Sequence, residues 1–259
     1  MKIARYDTNL TDFHWRILRP LLPQAARTGR PRTCLRSVID AILYITKSGC
    51  PWRLLPNDLP VWKTVYHHFR AWSRSGLWER IAAMLSRCLR KISGRKARPS
   101  AAVIDSQTVR SAGHGGSVGY DAGKKTKGRK RFICVDTLGM IVGLFIGKAD
   151  LPEREGAQEL LTEVLGYQPL EKIFADGGFS GSAFANWVGG IGRGCKVEII
   201  KRSDTAKGFH ILPKRWVVER TFAWLMHHRR LVRDYERSVG SAKAFVWVAA
   251  VRIMLNQYS

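Results

Sequence analysis

The residues that could carry chemistry are three acids, Asp105, Asp176 and Glu219, in an otherwise strongly basic chain. Glu219 is the single carboxylate in RWVVERTFAWLMHHRRLVR, residues 215–233, which also holds five arginines and two adjacent histidines. If the segment is helical, its neighbours at i−3, i+3, i+4 and i+7 are Trp216, Phe222, Ala223 and Met226, so the acid sits among core-type residues. It can pair with Arg215 one turn back, an orientation and setting that contribute only ~0.3–0.5 kcal/mol. Otherwise a buried carboxylate needs a cation or a metal ion, because desolvating it unpaired costs several kcal/mol. Asp105 closes the apolar run in SAAVIDSQTV, and Asp176 closes the one in KIFADGGFSG, where Gly177 and Gly178 let the backbone turn. Acids at the C-terminal ends of neighbouring strands face one sheet edge, and a glutamate from a helix packed there completes a cluster. Three hard oxygen donors suit one or two Mg²⁺ ions, with Mn²⁺ as a substitute. Each acid also has a purely local reading. Asp105 can cap a turn, Asp176 can form an Asx turn before Gly177, and Asp136 can do the same in its own hairpin.

The elements that must position these acids follow from periodicity. LTDFHWRILRPLLP reads as a helix with Thr11 or Asp12 as N-cap and Phe13, Ile17 and Leu21 on one face. After the TGRPR loop, LRSVIDAILYITKSG reads as a second helix stopping at Gly49. Trp62, Val65, Tyr66, Phe69 and Trp72 mark the packed face of a third, while Lys63, His67, Arg70 and Arg74 lie elsewhere on it, available to phosphates or base edges. From residue 101 the period shortens. SAAVIDSQTV, RFICVDTLG and MIVGLFIGKAD predict three strands, the last two forming a hairpin that turns near Leu138 and Gly139. A helix over EREGAQELLTEVLG, a strand at KIFAD, a helix at SAFANWVGG, a strand at KVEIIKR, the helix of Glu219 and a final helix, KAFVWVAAVRIMLNQ, complete the order β-β-β-α-β-α-β-α-α. The expectation is an α/β fold whose mixed sheet begins antiparallel and becomes parallel, preceded by a small all-α, helix-turn-helix-like part. We place residues 1–92 in the helical part, a linker at 93–100 within KISGRKARPS, and the second domain at 101–259.

Composition says what such a site acts on. With 44 Lys+Arg against 20 Asp+Glu, the chain carries +24, far more than solubility requires, and this points to a polyanion, with nucleic acid first. Residues 1–99 hold 20 of the basic residues and 5 of the acids, which makes them the more obvious DNA-facing part. KKTKGRKR, residues 124–131, is a second concentration: Lys124, Lys125, Lys127, Arg129, Lys130 and Arg131 are placed to clamp a DNA backbone. Trp187 and Trp224 are candidates to stack on a frayed base, though most tryptophans have core spacing. Five widely spaced cysteines without a CxxC argue against a disulfide framework or a zinc site. With no signal peptide and no apolar run of transmembrane length, the expectation is a cytoplasmic, nucleoid-associated protein with no membrane partner.

Several of these segments together resemble a known family. CPWRLLP, WKTVYHHFRAWSRSGLWERI, VIDSQTVR, VDTLG, ADGGFSG and RWVVERTFAWL, in this order, are similar to the short bacterial insertion-sequence transposases with an RNase H-like DDE domain, in the insertion-sequence-five group. The resemblance implies that Asp105, Asp176 and Glu219 are catalytic metal-binding acids, and that Arg215 belongs to the signature around the glutamate. That signature also has a tyrosine where Leu212 stands and a lysine where Met226 stands, which leaves His227, His228 or Arg229 to supply the basic contact to the DNA end. The separations of 71 and 43 residues between the three acids leave no room for a large insertion. The implied function is to bind the terminal inverted repeats of an insertion sequence, as a homodimer on double-stranded DNA, and to join those ends to target DNA. Such chemistry is metal-dependent in-line displacement at phosphorus, so Ser106, Ser111 and Tyr120 are not needed as nucleophiles. A DNA-binding regulator without need of the acids, or a structure-selective nuclease without need of the helical part, are the competing classes.

Overall fold

The computed structural model describes residues 6–24, 33–113, 116–200 and 215–258. The TGRPR loop and Leu212 lie outside the described residues. Four helices come first: α1 (Asp12–Leu18), α2 (Leu35–Ser48), α3 (Trp62–Arg74) and α4 (Leu77–Ile92). Thr11 caps α1, its hydroxyl accepting from the backbone N–H of His14 at 3.1 Å. The buried face of α1 is one position away from the expected one. Leu10, His14, Leu18 and Leu22 are buried, whereas Phe13 is 42% exposed. α2 ends as expected at Gly49, whose φ of +76° is a left-handed cap. The same glycine admits the chain at Arg229, whose Cβ would lie 3.2 Å from a Cβ placed there. In α3 the apolar face is the expected one, with Val65, Phe69 and Trp72 buried.

The rest of the chain gives β1 (Ala101–Arg110), β2 (Gly119–Asp121), β3 (Thr126–Asp136), β4 (Ile141–Lys148), α5 (Glu153–Tyr167), β5 (Lys172–Ala175), α6 (Ser182–Ile191), β6 (Lys196–Ile199), α7 (Trp216–Met226), α8 (Arg229–Val232) and α9 (Val239–Leu255). β1, β3 and β4 are antiparallel, and β5 and β6 run parallel to β1. The sheet order is β2-β3-β1-β5-β6, with β4 also on β3. This is the mixed sheet that the periodicity called for, antiparallel first and then parallel, and it is consistent with the RNase H-like fold that the resemblance implied. The three-residue β2 was not expected. Nor was the length of β1: Asp105 lies mid-strand, because β1 stays paired with β3 as far as Arg110 opposite Gly128. The helix expected from residue 215 onward breaks at His228, whose backbone is extended, and resumes as α8.

Two apolar cores sandwich the sheet. One face packs Ile104, Phe132 and Ile173 against Leu160, Leu161 and Val164 of α5 and Phe184 and Val188 of α6. Gly156 lets α5 approach, since a Cβ there would sit 2.1 Å from the ring of Phe132. The other face packs Val103, Ile133 and Leu144 under α7 and α9, and this core continues without a break into Ile39, Phe69, Trp78 and Leu85 of the N-terminal helices. No helix among the described residues is long and apolar enough to cross a membrane.

Where α4 meets the sheet, Asp136 is fully buried. Its Oδ1 accepts from the N–H groups of Leu138 and Met140, forming the Asx-type hairpin turn, and its Oδ2 accepts from Arg90 Nη1 at 2.7 Å. Arg90 is buried too. Removing one partner strands the other charge, so Arg90→Met should lower unfolding stability by about 3–5 kcal/mol. The double variant Arg90→Met/Asp136→Asn should recover part of that loss in urea titrations.

Candidate active site

Asp105 and Asp176 come together through strand register. The β1–β5 ladder pairs Ala101 with Lys172 and Val103 with Phe174, residues 71 apart in number, and the two aspartates have that same separation. β5 ends at Ala175, so Asp176 leaves the sheet beside Asp105 and opens a 3₁₀ turn over Gly177–Phe179. Its Oδ1 accepts from the N–H of Gly178 at 2.9 Å, the Asx turn allowed for in the sequence. Asp105 Oδ1 accepts from the N–H of Ser106 at 2.7 Å. Burial, reinforced by the neighbouring charges of Asp176 and Glu153, pushes the Asp105 carboxyl up to about 6, while Ser106 and Arg215 pull it down.

Glu219 lies in the first turn of α7, where a carboxylate is favoured by the helix dipole. Its Oε1 is 3.3 Å from Arg215 Nε, and the two side chains are 47% and 27% exposed. The guanidinium of Arg215 thus acts on Glu219 and, through its charge, on Asp105. Among the described residues no three His, Cys, Asp or Glu side chains are close enough together to hold a metal ion. The aspartates are brought side by side, whereas the expected three-acid convergence with Glu219 is not formed. The donors nevertheless fit a hard divalent cation. Asp105 and Asp176 supply carboxylate oxygens, and beside them Glu153 Oε2 is buried with no hydrogen-bond partner.

The basic residues divide into two groups. Lys63, His67 and Arg74 are exposed on α3, with Arg70 half-buried over the Tyr66 ring. Lys124, Lys125 and Lys127 are exposed before and at the start of β3, as are His227, just past α7, and Arg229, which begins α8. Arg129, Lys130, Arg131 and His228 are buried, which corrects their reading as DNA contacts. Side chains alternate along β3, and both faces are covered at this end. Arg129 Nη1 reaches Asp234 Oδ2 at 2.8 Å and Arg131 Nη1 reaches the Leu231 carbonyl at 2.9 Å on one side, while Lys130 Nζ reaches the Leu151 carbonyl at 2.9 Å on the other. Burial drives the His228 imidazole down to about 4, helped by Lys47, so it is uncharged at neutral pH. Trp187 stacks on Phe184 at 6.2 Å. Trp224 sits 4.4 Å from the Arg220 guanidinium, whose other neighbour is the half-exposed Trp216 at 4.5 Å.

Comparison with known proteins gives two family matches that together span most of the chain. Residues 96–255 match the family described as "Transposase DDE domain", and residues 10–82 match "Putative transposase of IS4/5 family (DUF4096)". Similar proteins include the "Insertion element IS402 uncharacterized 16.2 kDa protein" of Burkholderia cepacia, 29% identical over 42% of this chain and 78% of its own length. The "Uncharacterized protein y4sN" of Sinorhizobium fredii is 33% identical over 30% of this chain and 63% of its own length. No solved structure matches.

The raised Asp105 carboxyl has a stability consequence. Its folded value of about 6 lies above the ordinary 3.8, so the folded state binds the proton more tightly, and stability is lost as pH rises from near 4 through 6. Asp105→Asn should therefore raise metal-free stability at pH 8 by on the order of 2 kcal/mol, and by much less at pH 4. Equal denaturation midpoints for the two proteins at pH 8 would contradict this.

Proposed function

The chain belongs to the DDE transposases, and on that premise we propose that it binds the two ends of an insertion sequence and catalyses their metal-dependent cleavage and strand transfer into target DNA. The observation that carries this reading is the adjacent pair Asp105 and Asp176 at the edge of a sheet in a chain of net charge +24. Two neighbouring carboxylates to which no cationic side chain among the described residues is directly bonded are the arrangement a divalent metal ion would satisfy. Asp105, Asp176 and Glu219 are the residues proposed to hold Mg²⁺ or Mn²⁺. Once bound, the metal would lower the pKa of an attacking water or 3′-hydroxyl and stabilise the departing oxygen in an in-line displacement at phosphorus.

The chain's own residues have separable tasks. Asp105, poised near 6, is ionised at neutral pH and accepts a cation, but holds a proton below that. Glu219 exchanges its Arg215 partner for the site when DNA is engaged, and Arg215 is then free for a phosphate; a solvated pair at 3.3 Å costs little to open. Lys63, His67, Arg70 and Arg74 of α3, Lys124, Lys125 and Lys127, and His227 and Arg229 are proposed to hold the DNA backbone. Residues 1–92 supply end recognition and 101–259 the chemistry, as a homodimer that pairs two ends in the nucleoid of the cytoplasm.

Cleavage of DNA carrying the repeats that flank the gene should require Mg²⁺ or Mn²⁺ and stop with EDTA. Asp176→Asn and Glu219→Gln should each reduce it by about a thousandfold or more while leaving folding and end binding nearly intact. Arg215→Ala should retain far more activity than Glu219→Gln. Equal losses would mean that Glu219 serves only its ion pair.

Binding gives an independent check. Changing Lys124, Lys125 and Lys127 together to Ala should make the dependence of log affinity on log salt shallower by about 2 to 3. Arg129→Ala should instead leave that slope alone and destabilise the fold by about 3–5 kcal/mol, because it strands the buried Asp234. A lysine triple variant with an unchanged slope would assign those residues to solvent.

A further inference from the structure

KISGRKARPS, residues 91–100, reads from the sequence as a linker, and none of its four cations has a task in the site above. The structure makes it a fixed corner. The backbone N–H of Arg95 donates to the Arg90 carbonyl at 2.8 Å, and Nε of Arg90, whose side chain is buried against Asp136, donates to the Lys96 carbonyl at 2.8 Å. Arg95 Nη1 then donates to Thr137 Oγ1 at 3.1 Å, in the hairpin turn that Asp136 builds. Lys91, Arg95, Lys96 and Arg98 stay exposed, and among the described residues none of them forms an ion pair.

A second basic stretch, a hundred residues further along the chain, comes to the same corner. IGRGCK, residues 191–196, turns from α6 into β6 with Arg193 and Lys196 exposed. Arg193 keeps a left-handed backbone, φ +51°, which residues other than glycine take uncommonly. Together with Lys172, the first residue of β5, these two line a concavity of about 580 Å³ whose other wall includes Ser100, Ala101 and Thr137. Thr137 is the residue that holds Arg95, so the two stretches meet across it. The acids here are Glu171, which is exposed, and Glu198, which pairs with Lys172 at 2.9 Å. Cations therefore outnumber acids at this end of the sheet, and like charges fixed so close together repel one another unless a polyanion compensates them.

The position of this surface says which polyanion. It lies where β1, β5 and β6 begin, whereas Asp105 and Asp176 are four residues further on from Ala101 and Lys172, about 13 Å along the strands. Lys124, Lys125 and Lys127 belong to the far end as well, because β3 runs antiparallel to β1. A duplex presented to the aspartates and held by those lysines leaves the basic corner uncovered. The ring that lines the concavity, Phe174, is 2% exposed with Lys172 Nζ 5.7 Å from its centre, so it offers no face to an unpaired base. Cations on a rigid frame without an open ring suit the phosphates of a regular double helix. We infer that residues 91–98 and 193–196 bind the sugar–phosphate backbone of a second DNA duplex, without sequence preference, while a first occupies the aspartate edge. The inference rests on the DNA-joining reading above, which needs two DNA segments, and gives the second one a surface.

The test uses the full-length protein in EDTA, so that no strand is cut. It is saturated with unlabelled duplex carrying the repeats that flank the gene, then titrated with a fluorescent duplex of unrelated sequence and followed by anisotropy at several salt concentrations. Arg95→Gln/Lys96→Gln/Arg193→Gln/Lys196→Gln should weaken the second duplex about tenfold or more and make its log–log salt slope shallower by about 3, with repeat binding within about threefold of wild type. The half variants, Arg95→Gln/Lys96→Gln and Arg193→Gln/Lys196→Gln, should each show part of that loss, and they decide the matter if the quadruple variant does not fold. Unchanged second-duplex affinity and slope would overturn the inference, as would an equal loss for both duplexes, which would put these residues under the first. Single-stranded RNA that displaces the labelled duplex at lower concentration than unlabelled duplex does would also overturn it, by naming RNA as the partner. A wild-type protein that binds the repeats but no second duplex ends this inference and leaves end binding standing. One that binds both duplexes without preferring the repeats ends the end-recognition reading alone, and the quadruple variant still decides the surface. Binding of neither duplex ends both.

Discussion

The structure depends on the burial of α9. From Ala242 to Leu255 this helix is apolar on nearly every side, a pattern that water does not tolerate and that requires cover all round. The sheet covers it through Leu144 and Ile146 of β4, α7 covers it beside them, and α2, α3 and α4 cover the remainder with Ile39, Phe69, Ile81 and Leu85. Phe245 alone meets Phe69 at 4.5 Å and Trp52 at 5.9 Å between ring centroids. At roughly 25 cal/mol per Å² of apolar surface, a helix of this kind dominates the energetics of both regions it touches. The helical region and the sheet are accordingly parts of one hydrophobic core, and the exposed basic face of α3 is held at a fixed attitude to the Asp105–Asp176 edge.

Polar ties across the same junction are specific where apolar packing is not. Lys47 of α2 donates to the carbonyl of His227, Arg230 of α8 to the carbonyl of Cys50, Arg252 of α9 to the carbonyl of Asp7, and Arg90 of α4 to Asp136. A considerable part of the basic content is therefore structural. Arg90, Arg129, Lys130, Arg131 and Arg230 are all buried, each against a carboxylate or a carbonyl. Lys63, His67 and Arg74 of α3, Lys124, Lys125 and Lys127 ahead of and at the start of β3, and His227 and Arg229 between α7 and α8 stay at the surface instead.

Much of this was legible in the sequence because it is encoded locally. Period two gave the strands, period 3.6 gave most helices, Gly49 marked a helix end, and Asp136 marked its hairpin turn. The aspartate pair was legible because VID and FAD each end an apolar run. What was lost depends on contacts between distant segments. KKTKGRKR reads as a solvated run until residues 231–237 and the corner at 151–153 are seen to close over both faces of β3 and take in Arg129, Lys130 and Arg131. The buried face of α1 could not be phased from seven residues, since Phe13 and His14 compete for it and only the neighbouring α2 and α9 decide. His227–His228 was read as continuous helix because nothing in its composition demands the break that lets α8 turn back under α2.

The shared core also sets an order in time. α1 to α4 leave the ribosome first, yet the helix that covers their apolar faces begins at Val239, 147 residues after α4 ends at Ile92. At about 5–20 residues per second that interval is on the order of ten seconds, during which the basic helices are synthesised but their core is open. A message truncated anywhere before α9 thus yields helices whose apolar faces lack their cover, and the N-terminal core closes only with nearly the whole chain already made.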